Sequence, residues 1–379
     1  MKLKINQTKL LNALVILSLC VIAFGAGYWI NGSNKSPDEV LITTAYQMIM
    51  SDSIYNQHTD RELSYAAIRG MLTAINDPYS ELIEPDAAQN FAQTFTGQMG
   101  VVGLFADKVG DRVVITIIFP GQPADKAGLR VGDVILAVDN VILNKDADSS
   151  ETGLLIRGAP GSTVHLKVQR DTQSLEFDVV RQLREYVSFR MLPDGIAYIA
   201  NNAFNSTASQ KMKEGLTALL AQKPVGLVWD LRNNEGGDMQ AAQDILSDFI
   251  KQGLLFSAEL ADNQTVQFSA KGNPIAGDIP LVVLMDKTTY SAAETSAAAV
   301  AETGRGQTIG SNSYGKGVIQ ATINLPEKAL LQMTVARWHS PSGQWYQGRG
   351  VAPQIAVNDD PATTPDEVLQ KAVEILTKK

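Results

Sequence analysis

Thiol and imidazole are scarce in this chain. Its one cysteine, Cys20, excludes a disulfide framework and a cysteine-ligated metal site. Its three histidines, His58, His165 and His339, are too scattered for a zinc site built on paired histidines. Basic charge is also short, with 32 Lys and Arg against 40 Asp and Glu and a net charge of −8. A general nucleic-acid binder needs a basic face to neutralise phosphates, so that class is excluded. Internal repeats and low-complexity tracts are absent. What remains is 379 residues, 45 % apolar and 19 % charged, enough for two or three domains with at least one sizeable core.

One stretch is poor in charge altogether. Residues 10 to 30, LLNALVILSLCVIAFGAGYWI, are long enough to cross a bilayer. Lys2, Lys4 and Lys9 precede it, and Asp38 and Glu39 follow. This polarity places the bulk of the chain outside the cytoplasm, and the length of the stretch, which continues through Tyr28-Trp29-Ile30, predicts an uncleaved signal anchor. A cleaved signal peptide, with Ala23-Phe24-Gly25 as a weak cleavage site, is the alternative. Cys20 lacks the small residue expected before a lipid-modified cysteine and reads as apolar filler.

Beyond a polar linker at 31–38, apolar residues recur every three or four positions in DEVLITTAYQMIM and RELSYAAIRGMLTAI, predicting helices. Asp77-Pro78 and Pro85 break that pattern. From about 97 to 182 the texture changes to short strands, among them DRVVITIIF, DVILAVDN and STVHLKVQR, with a short helix in PADKAG stopped by Gly128. After 183, apolar strands (GIAYIANNAF, PVGLVWDLR, IPLVVLMD) alternate with helical segments. The strands GVIQATINL and LLQMTVARWHS and a final helix in DEVLQKAVEILTKK follow. This alternation predicts an α/β layer with its sheet covered on both faces.

The segment GSNSYGKG, 310–317, is one residue short of a phosphate-binding loop. Gly317 stands where the magnesium-binding hydroxyl belongs, and a strand-like run follows instead of a helix. Lys316 is therefore not read as a phosphate ligand; alone it would be a solvated lysine in a glycine turn. Ser291 lies between an apolar strand and an alanine-rich helix. Free N–H groups and the positive end of the macrodipole there favour an alkoxide or oxyanion, although serine is also an ordinary N-cap. Gly236-Gly237 sit at another strand-to-helix corner. Their N–H groups could join that of Ala292 in an oxyanion hole, or form a plain tight turn.

Together these segments resemble the carboxyl-terminal processing peptidases, tail-specific serine proteases that use a Ser–Lys pair. In YSAAE, Ser291 stands at the family nucleophile. In SYGKGVIQ, Lys316 matches the general base, 25 residues later, and Gln320 the glutamine that orients it. WDLRNNEGG resembles the family's Asp-Leu-Arg-Asn-Asn-Pro-Gly-Gly, with Glu235 in place of the proline. GQPADKAGLRVGDVILAVDNV and IRGAPGSTVHLKVQR resemble the family's PDZ domain, and TVARWHSPSGQWYQGRGVAPQIAV the segment closing the core. The likeness runs from about 38 to 376. Other departures are Ala293 for a second serine, Glu302 for the commoner Asp, and Val101-Val102-Gly103 for Gly-Ile-Gly.

The resemblance implies an α/β protease core with crotonase- or ClpP-like ββα layers. It adds an inserted PDZ domain, a partly open β-barrel with short helices, and an N-terminal helical region. The expected division is 1–30 anchor, 31–96 linker and helices, 97–182 PDZ domain and 183–379 protease core. Ser291 would attack a peptide bond and Lys316 would take its proton, without metal or organic cofactor. A free lysine, with a pKa of about 10.4, is neutral in only about one copy in 2,500 at pH 7. An apolar pocket can supply the shift of about 3 units that a base needs. Gln320, unlike a carboxylate, can accept a hydrogen bond without holding the ammonium. On a straight strand Lys316 and Gln320 would lie about 13 Å apart, so direct contact predicts a bend at Gly317. His339 reads as a polar residue at a strand end.

A PDZ loop near Gly103-Leu104-Phe105 would hold an apolar C-terminal tail. Arg157 would contact the core or the peptide, or merely stabilise its turn. The partners implied are protein or peptide substrates with apolar C-termini and the membrane through the anchor, with no nucleic acid. A homo-oligomer is compatible with the sequence but not required by it. The expected location is the cell membrane, single-pass, with the catalytic part in the periplasm or at the cell surface. Two rivals are a catalytically inactive PDZ-bearing scaffold and a crotonase-like acyl-CoA enzyme. The first predicts loss of Ser291, Lys316 or Gln320, and all three are present; the second needs neither the PDZ domain nor the Ser–Lys spacing.

Overall fold

The computed structural model describes residues 36–85, 87–88, 99–119, 121–143, 147, 149–183, 185–357 and 366–378. The apolar stretch at 10–30, on which the anchor and the signal peptide were expected, lies outside the described residues. Among the described residues no helix is long and apolar enough to cross a membrane. The expected single-pass membrane placement is corrected accordingly: no described helix can serve as its span.

The chain divides into two compact units, of which the first holds the described residues up to Glu84 together with Gln320–Thr334. Here the helical spacing gives α1 (Pro37–Asp52) and α2 (Asp60–Ile75). Each opens in a capping box, Ser36 with Glu39 and Thr59 with Glu62, which satisfies two otherwise orphaned N–H groups. Helix α2 stops at left-handed Asn76, just before Asp77-Pro78. Strand β1 (Glu81–Ile83) pairs antiparallel with residues 330–332. Tyr65, Leu82 and Ala329 form the small core of this unit.

The second unit, 85–319 and 335–379, contains two sheet systems. The first system is an antiparallel sheet. It runs β3 (Leu104–Val109), β4 (Arg112–Ile118), β5 (Val134–Val138), β7 (Thr163–Arg170), β8 (Gln173–Val180), with β6 (Val141–Ile142) beside β5. The two ends of this segment meet where β2 (Gly100–Val101) pairs with β9 (Gln182–Leu183). Short helices α3 (Pro123–Ala127) and α4 (Ser149–Ile156) belong to it, and α3 ends at left-handed Gly128 as the sequence predicts. Alternate residues of the strands, such as Val113 and Ile115 or Val164, Leu166 and Val168, point into one apolar core.

The other system has the order β10 (Val187–Met191), β11 (Ile196–Asn201), β12 (Gly226–Asp230), β15 (Leu281–Met285), β16 (Gln307–Gly310), β19 (Ile355–Ala356). All pairs in it are parallel except β10 with β11. Helices α5 (Ser206–Leu220), α6 (Met239–Ser247) and α7 (Ala292–Glu302) lie in the crossovers. The two-residue period of the strands sorts their side chains. Ala197, Ile199, Leu227, Trp229, Val283 and Met285 join α5, α6 and α7 in one core. Ile196, Tyr198, Val228, Val282 and Leu284 pack with Val368 and Ala372 of α8 (Glu367–Thr377). The sheet is thus covered on both faces, as read from sequence.

Across the helices stand β13 (Leu254–Leu260), β14 (Thr265–Ser269) and the end of β18 (Leu330–His339), giving Leu255, Phe256 and Trp338 to the helical core. Helix α7 therefore lies between two sheets, and every residue from Ala292 to Val300 is buried. Its run of Ala, Ser and Thr is what such close approach on all sides requires.

One buried carboxyl sets a pH dependence. Asp248 caps the C-terminus of α6, is 6 % exposed, and its Oδ2 has no hydrogen-bond partner among the described residues. Burial, with Asp244 adding to it and Lys213 and Lys271 opposing, raises its pKa to about 6. The folded value exceeds the unfolded one, so its contribution is full below about pH 4 and is lost as pH rises through about 6. Asp248→Asn should therefore stabilise the protein at pH 8 by about 2–3 kcal/mol and have little effect at pH 4. Urea unfolding at the two pH values checks this, and an equal difference at both would contradict it.

Candidate active site

Strands β11, β12, β15 and β16 run parallel, so the segments that leave their carboxyl ends meet on one edge of the sheet. Backbone bonds tie these segments together. Phe204 N donates to Gly236 O at 2.7 Å, Tyr290 N to Asn234 O at 3.0 Å, and Tyr314 N to Thr289 O at 3.0 Å. Thr289 Oγ1 donates to Leu231 O at 3.0 Å. Ser291, Gly236, Gly237, Ala292 and Lys316 all lie on this edge.

Ser291 follows the strand-to-helix corner and occupies the N-cap position of α7, with φ 55° and ψ −116°. A non-glycine residue there carries strain of about 1–3 kcal/mol, held by the surrounding bonds. The glycine pair packs directly against it. A Cβ at Gly236 would lie 2.6 Å from Tyr290 O and 2.8 Å from Ser291 Cβ; one at Gly237 would lie 2.1 Å from Phe204 O. Both have positive φ as well, so glycine is required on two counts. The two N–H groups differ. Gly236 N donates to Asn234 Oδ1 at 2.8 Å, and the Asn234 amide, fully buried, is held by Asn201 O. The N–H groups of Gly237 and Ala292 have no acceptor among the described residues.

Lys316 lies in the loop before β17 (Val318–Asn324), not in the strand, so the straight-strand separation does not apply to it. It is half-buried, and its Nζ stands 5.0 Å from the ring centroid of Tyr290, the residue before Ser291. Gly317 has no positive φ; it is needed for space, since a Cβ would lie 2.5 Å from Trp345 Nε1 and 2.7 Å from Gln347 N. Gln320 belongs to the first compact unit, where its Nε2 donates to Thr334 Oγ1 at 3.0 Å. His339 holds Glu259 at 2.8 Å at the end of β18, the polar strand-end role read from sequence.

Sequence alone assigns no role to Glu294. This residue is at the third position of α7 and is fully buried. Its Oε2 accepts from the backbone N–H of Ser291 and of Lys316, both at 2.8 Å. Its Oε1 accepts from Gly315 N and Ser313 Oγ, both at 2.6 Å. Burial raises its pKa, and the four donors oppose that rise. The Ser-x-x-Glu spacing of a capping box was visible in YSAAE, but the donors from 313–316 were not.

In the antiparallel domain β3 is an edge strand, open to pairing by an extended peptide. Gly103, φ 82°, precedes it, and a Cβ there would lie 2.2 Å from Gln122 Cβ, so the loop closes tightly over α3. Leu104 and Phe105 are partly exposed at the start of β3, with Phe105 edge-on to Phe119 at 5.3 Å. Arg157, just past α4, reaches the core instead: its Nη2 is 3.8 Å from Glu235 Oε2, with both side chains 26 % exposed. The carboxylate standing at the family proline position thus meets an arginine. At that separation the pair is worth at most about 1 kcal/mol.

Comparison with known proteins yields two family matches, Peptidase family S41 over residues 195–357 and a PDZ domain over 97–180. The chain is 33 % identical over 331 residues to the C-terminal processing peptidase, chloroplastic, of Tetradesmus obliquus, covering 81 % of this chain and 70 % of that protein. It is 30 % identical over 326 residues to the carboxy-terminal processing protease CtpB of Bacillus subtilis, covering 83 % and 67 %. Among solved structures it resembles the photosystem II D1 C-terminal processing protease. The TM-score is 0.68 and the identity 27 %, over 89 % of this chain and 91 % of that one.

Proposed function

The chain belongs to peptidase family S41 and is a C-terminal processing serine protease with a PDZ domain, and from that premise we propose that Ser291 is its nucleophile and Lys316 its general base. The observation that carries this assignment is the shared acceptor: one oxygen, Glu294 Oε2, holds the backbone N–H of both residues. Segments 25 residues apart in sequence are thereby fixed side by side at a strand-to-helix corner.

In the proposed reaction neutral Lys316 takes the Ser291 hydroxyl proton as Oγ attacks the substrate carbonyl carbon. The Gly237 and Ala292 N–H groups, without an acceptor among the described residues, hold the oxyanion; Gly236, engaged with Asn234, shapes the loop. The lysine then gives the proton to the leaving amine, and an ester on Ser291 remains. Water attacks that ester with Lys316 again as base, restoring the hydroxyl. Lys316 Nζ stands 5.0 Å from the ring centroid of Tyr290, beside the nucleophile's corner. Substrate laid over Ser291 excludes water from the amine and lowers its pKa. Gln320 keeps the motif position of the triad's third member, and its role is proposed from that position alone.

The proposed division assigns 97–182 to the PDZ domain and 183–379 to the protease core, with Gly103-Leu104-Phe105 as the loop and strand start that take an apolar C-terminal tail. The edge position of β3 supports this. An unstructured reporter ending in apolar residues is expected to be cleaved with a kcat/KM at least about tenfold above the same reporter ending in Asp-Glu, since about 1.4 kcal/mol of tail binding is lost. Equal values for the two reporters would remove the tail-recognition reading and leave the Ser–Lys assignment to its own test.

A further inference from the structure

We propose that Glu294 is a positioning residue for the reaction: its carboxylate clamps the nucleophile corner to the base loop, and the Ser291–Lys316 register depends on it. This inference rests on the Ser–Lys reading above. A carboxylate offers about four lone-pair directions, and here all four are used, two on each oxygen. Two of the donors are the backbone N–H groups of the proposed nucleophile and base, and a third is that of Gly315. The fourth, Ser313 Oγ, in turn accepts from Val351 N at 2.7 Å, which extends the clamp to the segment after β18.

Three of the bonds come from backbone N–H groups and the fourth from the Ser313 hydroxyl, an arrangement that suits the charged, acceptor-only form. The charge lies at the N-terminus of α7, where the macrodipole favours it. Two of the donors sit on residues in unusual backbone conformations, Ser291 at φ 55° and Gly315 at φ 99°. A shift of about 1 Å between reacting groups can cost about 100-fold in rate, so the expected loss is in kcat.

The test compares Glu294→Gln, Glu294→Asp and Ser313→Ala in the full chain, with Ser291→Ala as control, on the apolar-tailed reporter. Glutamine keeps the size but turns one acceptor into a donor facing two donors. It is expected to lower kcat about 100-fold with KM within about twofold, because the tail is held elsewhere. Aspartate keeps the charge on a shorter stem and should recover about tenfold of that loss. Ser313→Ala removes one bond of four; it should lower kcat about three- to tenfold, leave KM unchanged and move the melting temperature by only a few degrees. It carries the test if Glu294→Gln does not fold. A purely structural role predicts wild-type kcat for every variant that is folded at the assay temperature. That result, or a KM change without a kcat change, overturns the proposal. Ser291→Ala separates the two claims, because full turnover by that control would overturn the Ser–Lys reading itself.

Discussion

Ser291→Ala and Lys316→Ala are each expected to lower kcat on the unstructured reporter by at least about 10³-fold, with the double variant no worse than either alone. Residues that act as one unit show this non-additivity, because removing the alcohol leaves the amine nothing to deprotonate and the reverse. Lys316→Arg does not rescue, since a guanidinium cannot shed its proton near neutral pH. KM stays close to that of the wild type, as tail binding does not involve the pair. Steady-state kinetics check this, with thermal unfolding to show that the variants fold. Wild-type turnover by either single variant would contradict the assignment.

Arg232→Ala has the largest expected effect on stability. Arg232 makes paired hydrogen bonds to Asp230, at the end of β12, and to Asp366, the N-cap of α8, all within 3.2 Å. Tyr198 OH donates to the same Asp230 at 2.8 Å. Burial opposes the charge of Arg232, but the two carboxylates outweigh it and hold its pKa above the ordinary range. Alanine leaves Asp230, 4 % exposed, with its charge uncompensated. The cost is about 3–5 kcal/mol, read as a lower urea midpoint, with α8 the first element to lose hydrogen-exchange protection. Lysine restores less than half, because it cannot fork to two carboxylates.

The sign of the pH dependence follows from Asp366. Burial would raise its pKa, but the Arg232 hydrogen bonds and the N-cap bond from Leu369 bring it below the ordinary value. A lowered folded pKa gives stability that is present above the unfolded value, about 3.9, and lost as pH falls through the folded one. The Arg232→Ala penalty should therefore shrink in acid. A loss under 1 kcal/mol at pH 7, or one that grows below pH 4, would contradict this account.

What could be read from the sequence follows from the range over which each signal acts. Helices α1, α2, α5, α7 and α8 were visible because their apolar spacing and caps are local. The hairpin β13–β14 was not named, since LLFSAEL and TVQFS mix polar and apolar residues and gain their order from pairing with each other and with β18. Ser291 and Lys316 stood out through motif and spacing. The difference between Gly236 and Gly237 did not, because it depends on where the Asn234 side chain turns. Glu294 was seen only as a letter in YSAAE, since three of its four donors come from residues 19 to 22 positions further on. Glu235 was noted as a departure, but its arginine partner lies 78 residues earlier, in a different sheet system. For the stretch at 10–30, hydropathy alone suggested a span, and no described helix carries that expectation further.

The most direct test of the Ser–Lys account is to find the acyl group. The full-length protein is mixed with an activated ester of an apolar-tailed peptide, quenched in acid within the first turnover, digested and mapped by mass spectrometry. The account predicts one added acyl group, on the peptide containing Ser291, absent from Ser291→Ala and forming at least about 10³-fold more slowly in Lys316→Ala. Turnover that continues with the acyl group on another residue, or with none at all during a rate-limiting deacylation, would contradict it.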